Sequence, residues 1–188
     1  MSVILFNPRS ANSKPRIPNS ILSIAASIEG KFDYVIVDGN MEADPVQKIL
    51  NYLSTGNFKY FGLTCMPGPQ LKQAIPISKE VRERYPSIKI IWGGYFPSNQ
   101  PNVVLSSGFV DFIVNGPGDK CFPELLRALN NNESIDSIQQ PARSKIFDHS
   151  HRSTDGKNQK TCPSFKVTKS ERKYFQDSQG MRAETRCR

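Results

Sequence analysis

Histidine, cysteine and tryptophan are scarce in this 188-residue chain, which holds two, four and one of them. The cysteines, Cys65, Cys121, Cys162 and Cys187, show no CxxC spacing. That excludes a cysteine-built zinc site and a local iron–sulfur motif, so no iron–sulfur cluster is expected. His149 and His151 stand two apart with no carboxylate cluster beside them, and read as solvated rather than metal-binding. No apolar run approaches the roughly 18 residues of a membrane helix, so no membrane partner is expected. The opening Met1 to Phe6 lacks a basic stretch and soon meets Asn7-Pro8-Arg9, unlike a secretory signal. Reduced thiols in a cytoplasmic protein are the resulting expectation.

The net charge of +8 is unevenly placed. Residues 1–141 carry 13 Lys and Arg against 12 Asp and Glu, whereas residues 142–188 carry 12 against 5. Only 11 of those last 47 residues are hydrophobic, too few to offset the entropy of ordering them. The chain therefore reads as a near-neutral folded domain over 1–135 and a basic, disordered linker or tail over 136–188, its composition break suggesting truncation. The tail has no basic stripe interleaved with aromatics and no nucleic-acid module. Nucleic acid is not the expected partner, and nonspecific polyanion binding through the tail stays open as a rival reading.

What is present is alternation. Short β-branched and aromatic runs at Ser2–Phe6, Tyr34–Val37, Tyr60–Thr64, Ile88–Trp92 and Val110–Val114 read as parallel strands buried on both faces. Helical patterns lie between them. Ile21, Ile24, Ala25 and Ile28 follow a cap at Asn19 or Ser20 and precede Gly30. Asp44-Pro45 caps a stripe of Val46, Ile49, Leu50 and Leu53. The stripe of Leu71, Ala74, Ile75, Ser78 and Val81 contains Pro76, which predicts a kink or a late start. Residues 99–108 predict only a short helix, and Phe122, Leu125, Leu126 and Leu129 a last one. The fold class is α/β: a flavodoxin- or Rossmann-like, doubly wound, parallel five-stranded sheet. Such sheets bind ligands beyond their strand carboxyl ends. Here every carboxyl end carries Gly, Pro, Asn or Asp, and Gly93-Gly94 removes two side chains where a ligand would approach.

No GxGxxG or GxxxxGK[ST] follows a strand, and Asn7 and Thr64-Cys65 stand where a phosphoacceptor domain would need carboxylates. Thr64-Cys65-Met66 followed by Gly93-Gly94 resembles instead the SxL…GG signature of cobalamin-binding domains. The runs Gly93-Gly94-Tyr95-Phe96-Pro97-Ser98 and Gly116-Pro117-Gly118-Asp119 through Glu124-Leu125-Leu126 to Leu129 resemble the GGxHxS and GEGExTxxELLxxL segments of one version. That version is the N-terminal cobalamin-binding domain of radical S-adenosylmethionine enzymes. The resemblance covers roughly residues 2–132 and implies cobalamin as cofactor and a radical S-adenosylmethionine catalytic domain as partner.

The resemblance implies candidate cofactor-binding residues at each strand end. Thr64 would offer a hydroxyl to the nucleotide base or a corrin amide, and Met66 and Gly68 an apolar ledge, with Cys65 between them a small buried hydrophobe. Gly93 and Gly94 would make room for the nucleotide tail, with Tyr95 and Ser98 following in the same segment. Asn115, Gly116 and Gly118 would present N–H groups near the last helix, and Asp38 would receive corrin amides, although Asp38-Gly39-Asn40 is also a strong turn by itself. Asn19 falls where histidine-ligated cobalamin domains place their cobalt ligand, so no metal ligand carries over. Phe96 and Pro117 replace the family's His and first Glu, and the cluster-binding CxxxCxxC is missing. The reading is a cobalamin-binding module without turnover of its own. A cofactor-free α/β interaction domain is the rival from another class. A stand-alone enzyme is third, because no nucleophile–base–orienter set is visible.

Overall fold

The structure, a computed structural model, describes residues 2–10, 17–135 and the backbone of 145–147. Chain order is β1 (Ser2–Asn7), α1 (Asn19–Ile28), β2 (Asp33–Asp38), α2 (Pro45–Ser54), β3 (Phe58–Thr64) and α3 (Leu71–Arg84), then β4 (Lys89–Gly93), α4 (Tyr95–Asn99), α5 (Pro101–Leu105), β5 (Phe112–Asn115), α6 (Gly118–Asn131) and β6 (Lys145–Phe147). The sheet order is β2-β1-β3-β4-β5-β6. The first five strands are parallel, in the flavodoxin-like order, with the switch point between β1 and β3. β6 is an addition to the five strands expected. It pairs antiparallel with β5, Val114 opposite Ile146, within the segment assigned to the tail. Three residues are too short a run to show a periodicity. The basic remainder of that segment, and both histidines, lie outside the described residues.

Strand alternation sorts the sheet's side chains into two cores. Ile4, Phe6, Phe61, Leu63, Ile90 and Trp92 face α2, α3 and α5. Val3, Leu5, Tyr60, Ile91, Phe112 and Val114 face α1 and α6, which also pack on each other. Burying such side chains contributes about 25 cal/mol per Å² of apolar surface, the main force holding the layers together. Few polar groups enter. Ser78 and Trp92 are fully buried, and the indole Nε1 donates to the Ser78 hydroxyl at 3.1 Å. Arg82 donates to the carbonyls of Pro86 and Ile88 and pairs with Asp111, which also accepts from the Ile90 amide, tying α3 to the amino ends of β4 and β5.

The helix ends test the local rules. Asp44 caps α2 as expected, its carboxylate accepting from Gln47 N at 2.9 Å with Pro45 at the first position. The expected cap of α1 is corrected: Pro18 takes that place with no side-chain bond, and Asn19 is already helical, its N–H donating to Ile17 O. A proline's fixed φ sets the turn there without a side-chain acceptor. α3 starts on time and runs through Pro76, which lies on its exposed side, where water can satisfy the carbonyl that loses its partner. Residues 95–105 form two five-residue helices rather than one.

Candidate functional site

All five parallel strands end on one edge of the sheet, at Asn7, Asp38, Thr64, Gly93 and Asn115. Three different arrangements share that edge. Over β1 and β2 lies a polar network. One carboxylate oxygen of Asp38 accepts from Asn7 Nδ2 at 2.8 Å, from Asn40 N at 3.0 Å and from Asn40 Nδ2 at 2.9 Å. The Arg9 guanidinium donates to the carbonyls of Gly39 and Glu42, and Gln70 bridges Pro8 O and Met66 N. Asp38 thus organises its own turn, and it does not line the cavity described next.

On the α1/α6 face, the carboxyl half of the sheet sinks into a groove of about 260 Å³. Alternation places Gly62, Thr64 and Gly93 side by side on this face, with Leu5, Ile91 and Val114 around them. Ile21 and Ile24 of α1 form one wall, and Gly118 and Phe122 of α6 the other. The glycines act differently. A Cβ at Gly62 would lie 3.1 Å from the Phe122 ring, and one at Gly118 would lie 2.7 Å from Ile24 Cδ1, so both allow the helices to close in. A Cβ at Gly93 would meet nothing nearer than 3.9 Å; its missing side chain leaves space that packing does not fill. Gly94 has φ +93°, and a Cβ there would stand 2.8 Å from Thr64 Oγ1. Thr64 is only 9% exposed as a residue and lines the groove.

The third arrangement is a clasp. Ser98 Oγ donates to Gly94 O at 2.7 Å and accepts from Gly116 N at 3.0 Å, while Asn115 Nδ2 donates to Ser98 O at 3.2 Å. This corrects the expectation that Gly116 offers a free N–H, since Ser98 engages it. Ser98 and Asn115 position the two loops that flank the groove. Cys65 belongs to the opposite core, with its N bonded to Gly93 O and its O accepting from Phe96 N, and burial pushes its thiol pKa well up. Burial thus disfavours its thiolate form.

Asn19, Met66, Gly68 and Tyr95 lie on the rim rather than in the groove. Met66 is 51% and Tyr95 43% exposed. All five exposed large apolar side chains among the described residues, Ile17, Leu22, Met41, Met66 and Tyr95, lie on elements leaving this same edge. The candidates that meet in the groove are Thr64, Gly93, Gly94, Gly116 and Gly118. Sequence reasoning missed Gly62, Ile24 and Phe122. A glycine inside a strand was the available signal for the first. Among the described residues no cluster of three or more His, Cys, Asp or Glu could hold a metal, and no helix is long and apolar enough to cross a membrane.

The family model for the B12 binding domain matches residues 16–126, more than half of the chain. The chain belongs to the B12-binding domain family. Known structures share the fold. The radical S-adenosylmethionine methyltransferase TsrM from Kitasatospora setae, solved with cobalamin and a 4Fe-4S cluster bound, is 20% identical with a TM-score of 0.62. The match covers 71% of this chain and 25% of TsrM. The cobalamin-dependent S-adenosylmethionine radical enzyme OxsB, with aqua-cobalamin and S-adenosylmethionine bound, is 18% identical with a TM-score of 0.66, over 78% of this chain and 22% of OxsB. The matched region is thus about a quarter of either enzyme. The isolated REC domain of RcsB from Salmonella enterica serovar Typhimurium is 20% identical with a TM-score of 0.51, over 71% of this chain and 91% of the domain. That likeness is one of fold, since this B12-binding domain ends β1 and β3 in Asn7 and Thr64. No curated protein matches the chain in sequence.

Proposed function

We propose that this chain binds cobalamin at the carboxyl edge of its sheet, with the nucleotide tail in the groove between α1 and α6. We further assign it the role of cofactor-holding module to a radical S-adenosylmethionine catalytic domain, without turnover of its own. The observation that carries the reading is the groove: Gly93 leaves it open, and Thr64 lines it. The residues fit the group. Thr64 would donate to a ring nitrogen of the nucleotide base, Ile21, Ile24 and Phe122 would exclude water from it, and the Ser98 clasp would hold the loops on either side. The rim side chains Met66 and Tyr95 would offer apolar contact to the macrocycle. Once bound, cobalamin supplies a cobalt centre able to accept and donate a methyl group.

The test is a visible-absorption titration of the full chain with hydroxocobalamin, with free ligand removed by gel filtration. Retained cobalamin with a shifted spectrum is expected, and Gly93→Trp, which fills the groove, should abolish retention while leaving the circular dichroism unchanged. A folded but colourless protein would overturn the reading. It would favour the second one, a cofactor-free interaction domain, to which the exposed apolar rim points.

A further inference from the structure

We propose that the groove selects among cobalamin-like cofactors by their nucleotide base, accepting a benzimidazole-type base and rejecting adenine. This rests on the reading that the nucleotide tail enters the groove. The interior is walled by Leu5, Ile21, Ile91, Val114 and Phe122, each at most 5% exposed. Its floor adds no polar group of its own. Gly62 and Gly93 are registered on both sides in the parallel ladder, and Gly93 O also accepts from Cys65 N at 2.9 Å. Ser20, Ser23 and Asp119 touch the groove only from exposed positions at its mouth. One polar side chain lines the interior, that of Thr64.

That inventory matches one kind of base. In dimethylbenzimidazole one ring nitrogen carries the ribose and the other is a single acceptor, while the far edge is hydrocarbon. Thr64 can donate to the acceptor and the apolar walls can cover the edge. Adenine brings an exocyclic amine and additional ring nitrogens, and this interior has no second polar side chain to partner them. Burying such groups unpaired is disfavoured far more than pairing them is favoured. The adenine form should bind about tenfold to a hundredfold more weakly. The Phe122 ring packs close over Gly62 and adds a further apolar surface to the lining.

The experiment titrates the full chain with cobalamin, with the adenine-containing cobamide, and with cobinamide, which lacks the nucleotide. The expected order is cobalamin tightest, with the adenine form at least tenfold weaker and cobinamide also weaker. Equal affinity for the two complete cofactors, with cobinamide weaker, would overturn the selection and leave the binding reading standing. Equal affinity for all three would show that the tail does not enter the groove, and selection falls with it. No binding of any would remove the cofactor reading itself. Val114→Thr keeps the wall's shape and adds a hydroxyl. It should bring cobalamin and the adenine form at least threefold closer, and an unchanged ratio would reject the apolar wall as the cause.

Discussion

Alanine at Gly93 and alanine at Gly94 should give opposite results, although the two glycines are adjacent. Gly94 lies at φ +93°, ψ −171°, a region closed to side chains. Its new Cβ would stand 2.8 Å from Thr64 Oγ1, 3.0 Å from Cys65 N and 3.1 Å from Cys65 O. Two of those neighbours are backbone and cannot swing aside. Dihedral strain and the forced shift of the β3 end together should cost about 2–4 kcal/mol. Gly93 is a strand residue whose Cβ would find only ordinary contacts at 3.9 Å. There alanine should be neutral or stabilise by roughly 0.5 kcal/mol, because glycine loses more chain entropy on folding. Urea unfolding followed by far-ultraviolet circular dichroism separates the two. With a slope near 2 kcal/mol/M, Gly94→Ala should lower the midpoint by about 1–2 M and Gly93→Ala should hardly move it. In cobalamin titrations Gly93→Ala should weaken retention, because its methyl enters the groove. Similar midpoints for the two variants would refute the claim that one glycine serves the backbone and the other the cavity.

Thr64→Val removes the hydroxyl from the groove lining and keeps the shape. It should leave the apo fold as stable or about 1 kcal/mol more stable and weaken cobalamin about tenfold, which paired melts and titrations can check. Ser78→Ala strands the buried Trp92 indole N–H, and chemical denaturation should show a loss of about 1–3 kcal/mol. The Cys65 thiol pKa is raised by burial, so its contribution to stability is complete below the unfolded thiol value, near pH 9, and falls as pH rises above it. Stability should decline there by up to about 1.4 kcal/mol per pH unit, and Cys65→Ala should flatten the decline in pH-dependent urea titrations.

The strands were legible because each is a short apolar run ended by turn residues, and the structure moves their ends by no more than two residues. The α2 start was legible for a local reason, since Asp44 and Pro45 act within one turn. Thr64 and Gly93-Gly94 stood out at strand ends, and they do meet in the groove. What remained hidden depends on partners distant in sequence. Ile24 and Phe122 read as ordinary helix core, and only the closeness of α1 and α6 over Gly118 makes them walls. Ser98 and Gly116 each suited a ligand when taken alone; their bond to each other appears only once two loops are folded together. Asp38 likewise suited either a ligand or a turn, and its three donors come from Asn7 and Asn40.

The groove's floor is open main chain at Gly93 and main chain under the Phe122 ring at Gly62. Glycine is the smallest residue, so a single substitution at either position can only add matter to the floor. Mutational drift there runs one way, toward a shallower groove. Accommodating a bulkier base would have to come from the walls, by trimming Ile24, Val114 or Phe122, whereas shedding the base altogether needs one change in the floor.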